Sequence, residues 1–225
     1  MKTILIATRN QHKIEEIHSI LPKGIRWLSL RDYPQAPEVL EDANSFRGNA
    51  AKKADSLVNY LYNRPSDWRE SYVLADDSGL EVDALEGAPG VHSARFANLN
   101  SDTVGNAPDD ANTKKLLNLL GNVAEANRTA RFRCVLALMP LRNPNNQQNC
   151  PTAIDPETEF FVGACEGRIL KEPRGTMGFG YDPVFAPLGF DQSFAELGEQ
   201  VKNRLSHRAA ALQKLNQWFT QPHPL

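Results

Sequence analysis

The sequence predicts an α/β or α+β protein with a mixed sheet, split into two lobes by a cleft. Three observations predict it. Short apolar runs alternate with helix-period segments early in the chain. The second half is richer in hairpin-like strands. No internal repeat and no clear linker interrupts the 225 residues, enough for one large domain or two small lobes around a substantial core.

Residues 3–7 read as a buried strand, and the polar turn Thr8-Arg9-Asn10 leads into a helix with Ile14, Ile17 and Leu21 at helical spacing. Ile25 to Leu30 predicts a second strand, and residues 31–41, with Pro34 and Pro37, a loop. Ser45 is placed to cap a long helix that carries Phe46, Ala50, Ala54, Leu57, Val58 and Leu61 on one face. The run Tyr72-Val73-Leu74-Ala75 predicts a short buried strand ending on Asp76 and Asp77. Ser78-Gly79 signals a turn, with Leu80-Glu81-Val82 as the returning strand of a hairpin. Gly87-Ala88-Pro89-Gly90 is a loop, and Asp109 or Asp110 caps a helix that buries Leu116, Leu117 and Leu120.

Arg128 to Met139 alternates, with Phe132, Cys134, Leu136 and Leu138 on one face and Arg131 and Arg133 on the other. Residues 142–157, rich in Asn, Gln and Pro, read as an exposed, mobile hairpin connection. Phe160–Ala164 and Arg168–Leu170 predict two further strands. Ser206 caps a last helix with Leu212, Leu215, Trp218 and Phe219 inward, and residues 221–225 form a frayed tail.

Composition narrows the function classes. Hydrophobic residues make up 41% and charged residues 23%, ordinary for a soluble globular protein. A net charge of −2 argues against a general nucleic-acid surface, while leaving room for a local basic pocket. Ile4-Leu5-Ile6-Ala7 is too short for a signal-peptide core, and no stretch is long enough to span a membrane. Cys134, Cys150 and Cys165 are odd in number and widely spaced, so they fit neither a disulfide framework nor a metal-binding pair. These points predict a reduced, cytoplasmic setting.

The Asp76-Asp77 pair is the most informative feature. Two carboxylates at the end of a buried strand repel each other and lose hydration. A divalent metal would relieve both; a solvated turn is the competing reading. Glu41, before the long helix, either complements the helix dipole or completes an oxygen-rich Mg²⁺ site with the pair. Thr8-x-Asn10-x-x-Lys13 opens the first helix, where free N–H groups and the dipole attract phosphate. The alternative is a simple cap with a solvated lysine, and the missing glycines exclude a Walker A loop. Lys53 shares a helix face with Asn49 and either snorkels to solvent or points toward phosphate.

Gly178-Phe179-Gly180-Tyr181-Asp182-Pro183 flanks an aromatic ring with glycines, which leaves it accessible for stacking on a base, unless Phe179 packs into the core. His207 and Arg208 follow the Ser206 cap and either donate to a keto oxygen or phosphate, or are solvated. Lys202 and Arg95 are further basic candidates, each otherwise a surface residue.

Taken in order, these motifs together with Ser45-Phe46-x-x-Asn49-Ala50-x-x-Lys53-Ala54 and Gly87-Ala88-Pro89-Gly90-Val91-x-Ser93-Ala94-Arg95 strongly resemble the inosine triphosphate pyrophosphatase family, which includes the bacterial dITP/XTP pyrophosphatases. The resemblance runs from Ile4 to about Phe219. It implies a two-lobed α/β fold with an elongated mixed sheet flanked by helices, an active-site cleft between the lobes, a homodimer and a Mg²⁺ requirement. The implied reaction is hydrolysis of ITP, dITP or XTP to monophosphate and pyrophosphate, which cleanses the nucleotide pool.

Carried over by motif, Thr8, Arg9, Asn10, Gln11, His12 and Lys13 would bind the triphosphate, with Lys53 in support. Glu41, Asp76 and Asp77 would hold Mg²⁺, and Asp77 would be the general base. Ser78 would contact substrate, and Phe179, Gly180, Tyr181, Asp182, Lys202, His207 and Arg208 would surround the nucleoside and base. Ala43 and Arg9 stand where the family commonly has glycine; neither change removes a catalytic side chain. Two rivals remain at this point. Septum-inhibitor-like pyrophosphatases share the fold but prefer modified pyrimidines, and their opening motif is usually rich in Ser and Arg. A nucleotide-binding module without catalysis would not need three carboxylates beside a phosphate.

Overall fold

The computed structural model describes residues 2–21, 24–62, 71–99, 103, 105–141 and 157–221. The connection expected over 142–157 and the tail expected over 221–225 lie, but for residues 157 and 221, outside the described residues. The fold is mixed α/β, with one six-stranded sheet in the order β2-β1-β3-β4-β5-β6.

β1 (Thr3–Ile6) pairs in parallel with β2 (Arg26–Ser29) on one side and with the start of β3 (Ser71–Val82) on the other. That explains its continuous apolar run: Ile4, Leu5 and Ile6 are fully buried, as parallel strands covered on both faces must be. The crossover helices are α1 (Gln11–Ile20) and α2 (Phe46–Tyr62). All six residues expected on the inner face of α2 are buried. The Ser45 Oγ accepts the Gly48 N–H at 3.1 Å, the cap that its position predicted.

The hairpin expected at Ser78-Gly79 does not form. β3 runs twelve residues straight through Asp76-Asp77-Ser78-Gly79 to Val82. Tertiary pairing overrides the local turn signal here. The Leu80 N–H is held by the Ser93 Oγ at 2.8 Å, Leu80 and Val82 are fully buried, and Arg133 of β4 (Thr129–Pro140) reaches Glu81 at 2.9 Å. The Leu141 N–H donates to the Ser71 carbonyl, so opposite ends of β3 and β4 meet, as in an antiparallel pair.

The two strands expected between 160 and 170 are one, β5 (Glu159–Ile169), which pairs antiparallel with β6 (Phe185–Pro187). Gly167 makes this close pairing possible, since a Cβ there would lie 2.3 Å from the Ala186 carbonyl oxygen. Gly167→Ala should therefore destabilise the protein by about 1–3 kcal/mol. An unchanged urea midpoint would contradict it.

α3 (Asp109–Leu119) has Pro108 in the cap position, so neither Asp109 nor Asp110 is the cap; both sit in the first turn, where they complement the dipole. β6, α4 (Phe194–Leu197) and α5 (Glu199–Leu205) have no counterpart in the sequence reading. Ser206 caps α6 (His207–Thr220), its Oγ accepting the Ala209 N–H at 3.1 Å. Among the described residues no helix is long and apolar enough to cross a membrane.

By contact the chain divides into two compact units. The first comprises residues 1–77, 135–162 and 211–225; the second comprises 78–134 and 163–210. The first is built on β1 and α2, with Val73, Leu74, Leu136, Leu138, Leu212 and Leu215 buried around them. The second has its own core of Leu80, Val82, Phe96, Leu116, Leu120, Phe132, Ile169, Phe185 and Phe194 among others. Fully burying each such side chain stabilises by roughly 1.5–3 kcal/mol.

Candidate active site

In the first unit the turn after β1 is tightly built. The Ala7 N–H donates to the Leu74 carbonyl of the neighbouring strand at 2.8 Å. The Thr8 Oγ1 accepts the Asn10 N–H at 3.1 Å, and the Asn10 side chain caps α1 by accepting the Lys13 N–H at 3.2 Å. Arg9 reaches back to the Ala36 carbonyl at 2.6 Å, which ties this turn to the 31–41 loop. Gln11 bonds Glu15 on its own helix, and His12 is exposed.

Lys13 has no acidic neighbour in the first turn of α1; its ammonium instead forms an ion pair with Asp76, whose side chain is fully buried. On α2, the Lys53 Nζ lies 2.8 Å from the Asp77 Oδ1 and 3.3 Å from the Glu41 Oε2. Its side chain is only 11% exposed, so it points inward rather than snorkelling to solvent. Because β3 is continuous, Asp76 and Asp77 face opposite ways and each meets a lysine from a different helix. Asn49, fully buried, accepts the Ala43 N–H at 3.0 Å and fixes the segment that follows Glu41.

The charges are strongly perturbed. Burial pushes the Asp77 carboxyl up to about 6, against the pull of Lys53 and Lys13 and with help from Glu41. Burial also acts to raise Glu41, but Lys53, Asp77 and Lys13 outweigh it and leave Glu41 below its ordinary value. Lys53 is lowered by burial and raised by Asp77 and Glu41, which prevail. The Asp77 Oδ2 is buried and accepts no hydrogen bond within the described structure. No group of three or more His, Cys, Asp or Glu is arranged to hold a metal ion among the described residues. Glu41 and Asp77 meet at Lys53, while Asp76 is paired with Lys13.

The second unit holds the other set. The Arg208 guanidinium, 1% exposed at the start of α6, donates to the Ser78 Oγ at 2.9 Å. The His207 ring is buried and stacks on Phe132, centroids 4.8 Å apart. Both side chains are thus interior, not the solvated pair that a helix start usually shows. Lys202 is interior too, its Nζ 2.6 Å from the Asp182 Oδ2 and 4.3 Å from the centre of the Phe179 ring. The same Asp182 oxygen accepts the Phe179 N–H at 2.9 Å. Gly178 (φ +81°) is required beside it, since a Cβ there would lie 2.1 Å from that oxygen. Phe179 is half-buried, so part of its ring stays open. Tyr181 is buried and its hydroxyl donates to the Ser93 carbonyl at 2.9 Å.

Residues 4–218 match the model of the Ham1 family. The chain belongs to the Ham1 family. It is 42% identical over 217 residues to the dITP/XTP pyrophosphatase of Shouchella clausii, with 96% of both chains covered. It is 44% identical over 221 residues to the dITP/XTP pyrophosphatase of Geobacillus kaustophilus, covering 97% of this chain and 95% of that one. Among solved structures, a HAM1 protein from Coxiella burnetii superposes with a TM-score of 0.78 at 34% identity, covering 99% of this chain and all of the other.

In this Ham1-family chain the fold brings Glu41, Lys53 and Asp77 together in the first unit, and Lys13 with Asp76. In the second unit it brings together Phe179, Asp182 and Lys202, and Ser78 with Arg208. The supporting contacts of three residues escaped the sequence reading. The Ser93 Oγ accepts the Leu80 N–H and donates to the Gly90 carbonyl at 2.6 Å. The Asp109 Oδ2 accepts the Gly180 N–H at 2.7 Å, and the Thr113 Oγ1 donates to the Gly180 carbonyl at 3.4 Å. The 71-residue separation of Asp109 from Gly180 leaves no local signal for the contact.

Proposed function

We infer that this chain hydrolyses non-standard purine nucleoside triphosphates (dITP, ITP and XTP) to the monophosphate and pyrophosphate, removing them before they enter DNA or RNA. The observation that carries the reading is the inward-pointing Lys53 held between Glu41 and Asp77, in a chain of the Ham1 family whose curated relatives are dITP/XTP pyrophosphatases.

Mg²⁺ fits this site. Glu41 and Asp77 would supply hard oxygen donors, and the Asp77 Oδ2 is buried with no hydrogen bond to satisfy it; Asp76, on the opposite face of β3, is paired with Lys13. When bound, the ion supplies neutralisation of phosphate charge. The chain's own residues do the rest. Lys13 and Lys53 hold the phosphates, together with the N–H groups at the start of α1. Asp77 orients the attacking water and takes its proton at a carboxylate oxygen. The water oxygen bonds to the α-phosphorus, the α–β anhydride bond breaks, and pyrophosphate leaves. Without the ion, burial lifts this carboxyl to about 6, above an ordinary aspartate.

In the second unit, Phe179 offers a stacking face and Arg208 and His207 donors to a 6-keto oxygen. A 6-amino group would leave such donors unpaired. A homodimer, a cytoplasmic location and no binding of nucleic acid or membrane belong to the same reading; the family resemblance supports the first, and the net charge of −2 speaks against a nucleic-acid surface.

The test is incubation with Mg²⁺ and a panel of triphosphates, with pyrophosphate and orthophosphate measured separately. Pyrophosphate release from ITP, dITP and XTP is expected. Equal turnover of ATP or GTP would overturn the selectivity, orthophosphate release would point to another hydrolase, and no release would indicate a binding module.

A further inference from the structure

The peptide of Gly180 is gripped on both sides by α3. Its N–H donates to the Asp109 Oδ2 at 2.7 Å, and its carbonyl accepts from the Thr113 Oγ1 at 3.4 Å. Asp109 and Thr113 are four residues apart and so lie one above the other on the same helix face. One residue earlier, the Phe179 N–H is fixed by Asp182, which Lys202 neutralises. Gly178 and Gly180 both have positive φ (+81° and +62°), a backbone that would otherwise be soft at both flanks of Phe179. The two carboxylates thus immobilise consecutive N–H groups of a segment whose glycines leave it free to swing.

We propose that Asp109, with Thr113, is a positioning residue that sets the Phe179 ring as a pre-formed platform for a flat purine base, and so contributes to base specificity without touching the substrate. The specificity half of this inference rests on the function proposed above; the positioning half does not. Pre-organisation of a stacking surface lowers the ordering required on binding, so its loss falls on substrate affinity and not on the chemical step.

Two measurements test it. The first places 4-fluorophenylalanine at position 179 and records its ¹⁹F spectrum without ligand. Wild type is expected to give one narrow line, Asp109→Ala a shifted or broadened one, and Asp109→Asn, whose amide oxygen still accepts from Gly180, a line close to wild type. An unmoved line in Asp109→Ala overturns the positioning role.

The second compares ITP with ribose 5-triphosphate, which has no base. Asp109→Ala is expected to raise KM for ITP about tenfold at near-constant kcat, to leave ribose triphosphate unaffected, and to add nothing in a Phe179→Ala background. An equal change for both substrates, or a full effect without the Phe179 ring, overturns the specificity role. A wild-type protein that hydrolyses no ITP while the fluorine line still moves in Asp109→Ala would overturn the proposed function and leave the clamp standing.

Discussion

Asp77→Asn is expected to bind nucleotide as wild type does, to lose most turnover, and to be more stable than wild type in metal-free buffer above pH 6. The loss of turnover follows from removing the base that takes the water's proton, on the order of 10²–10⁴-fold. The gain in stability follows from burial. The folded protein holds the Asp77 carboxyl at about 6 against an ordinary value of 3.8, so folding favours its neutral form. The penalty is absent below the ordinary value, grows as the pH rises toward 6 and is constant above. The gap corresponds to about 3 kcal/mol. Asparagine has the shape of the neutral acid and escapes the penalty.

Thermal melts should therefore show little difference between the two proteins near pH 4 and a melting temperature several degrees higher for the variant near pH 8. Wild-type kcat in the variant would sink the mechanism; a variant less stable than wild type at pH 8 would show that Lys53 depends on Asp77 more than Asp77 is harmed by burial.

The second large effect is expected at the Asp182–Lys202 pair. Both side chains are almost completely buried, at 3% and 6% exposure. Lys202→Met leaves a buried carboxylate without its counter-charge, and Asp182→Asn leaves a buried ammonium. Breaking such a pair from one side costs about 3–5 kcal/mol. The double variant removes both charges and should recover much of that, a coupling that urea unfolding of the four proteins measures. Strict additivity would show that the two side chains are not coupled. Among the variants that remain folded, those lacking Lys202 should also lose affinity for ITP, since its Nζ lies over the Phe179 ring.

Two local cap signals and one helix face are followed by the structure. Ser45 and Ser206 cap their helices through side-chain oxygens three residues back, and the apolar face of α2 is the one its 3.6-residue period marks. Lys13, read as a phosphate ligand or a solvated side chain, is paired instead with a carboxylate on β3. Where the deciding contact is distant, local signals mislead. Ser78-Gly79 has turn chemistry, yet the Ser93 hydroxyl and the β4 pairing hold it extended. Lys202, His207 and Arg208 read equally well as surface residues, because their partners Asp182, Phe132 and Ser78 lie 20, 75 and 130 positions away in the chain. Asp109 was legible as a helix-start acid and not as the acceptor of a glycine N–H on another segment.

The lysine that bridges Glu41 and Asp77 has a further consequence. Three carboxylates, Glu41, Asp76 and Asp77, meet two ammonium groups, Lys13 and Lys53. The protein therefore carries its own internal electrolyte. The fold does not wait for a cation to screen these acids, and an arriving ion must compete with tethered charges that never diffuse away.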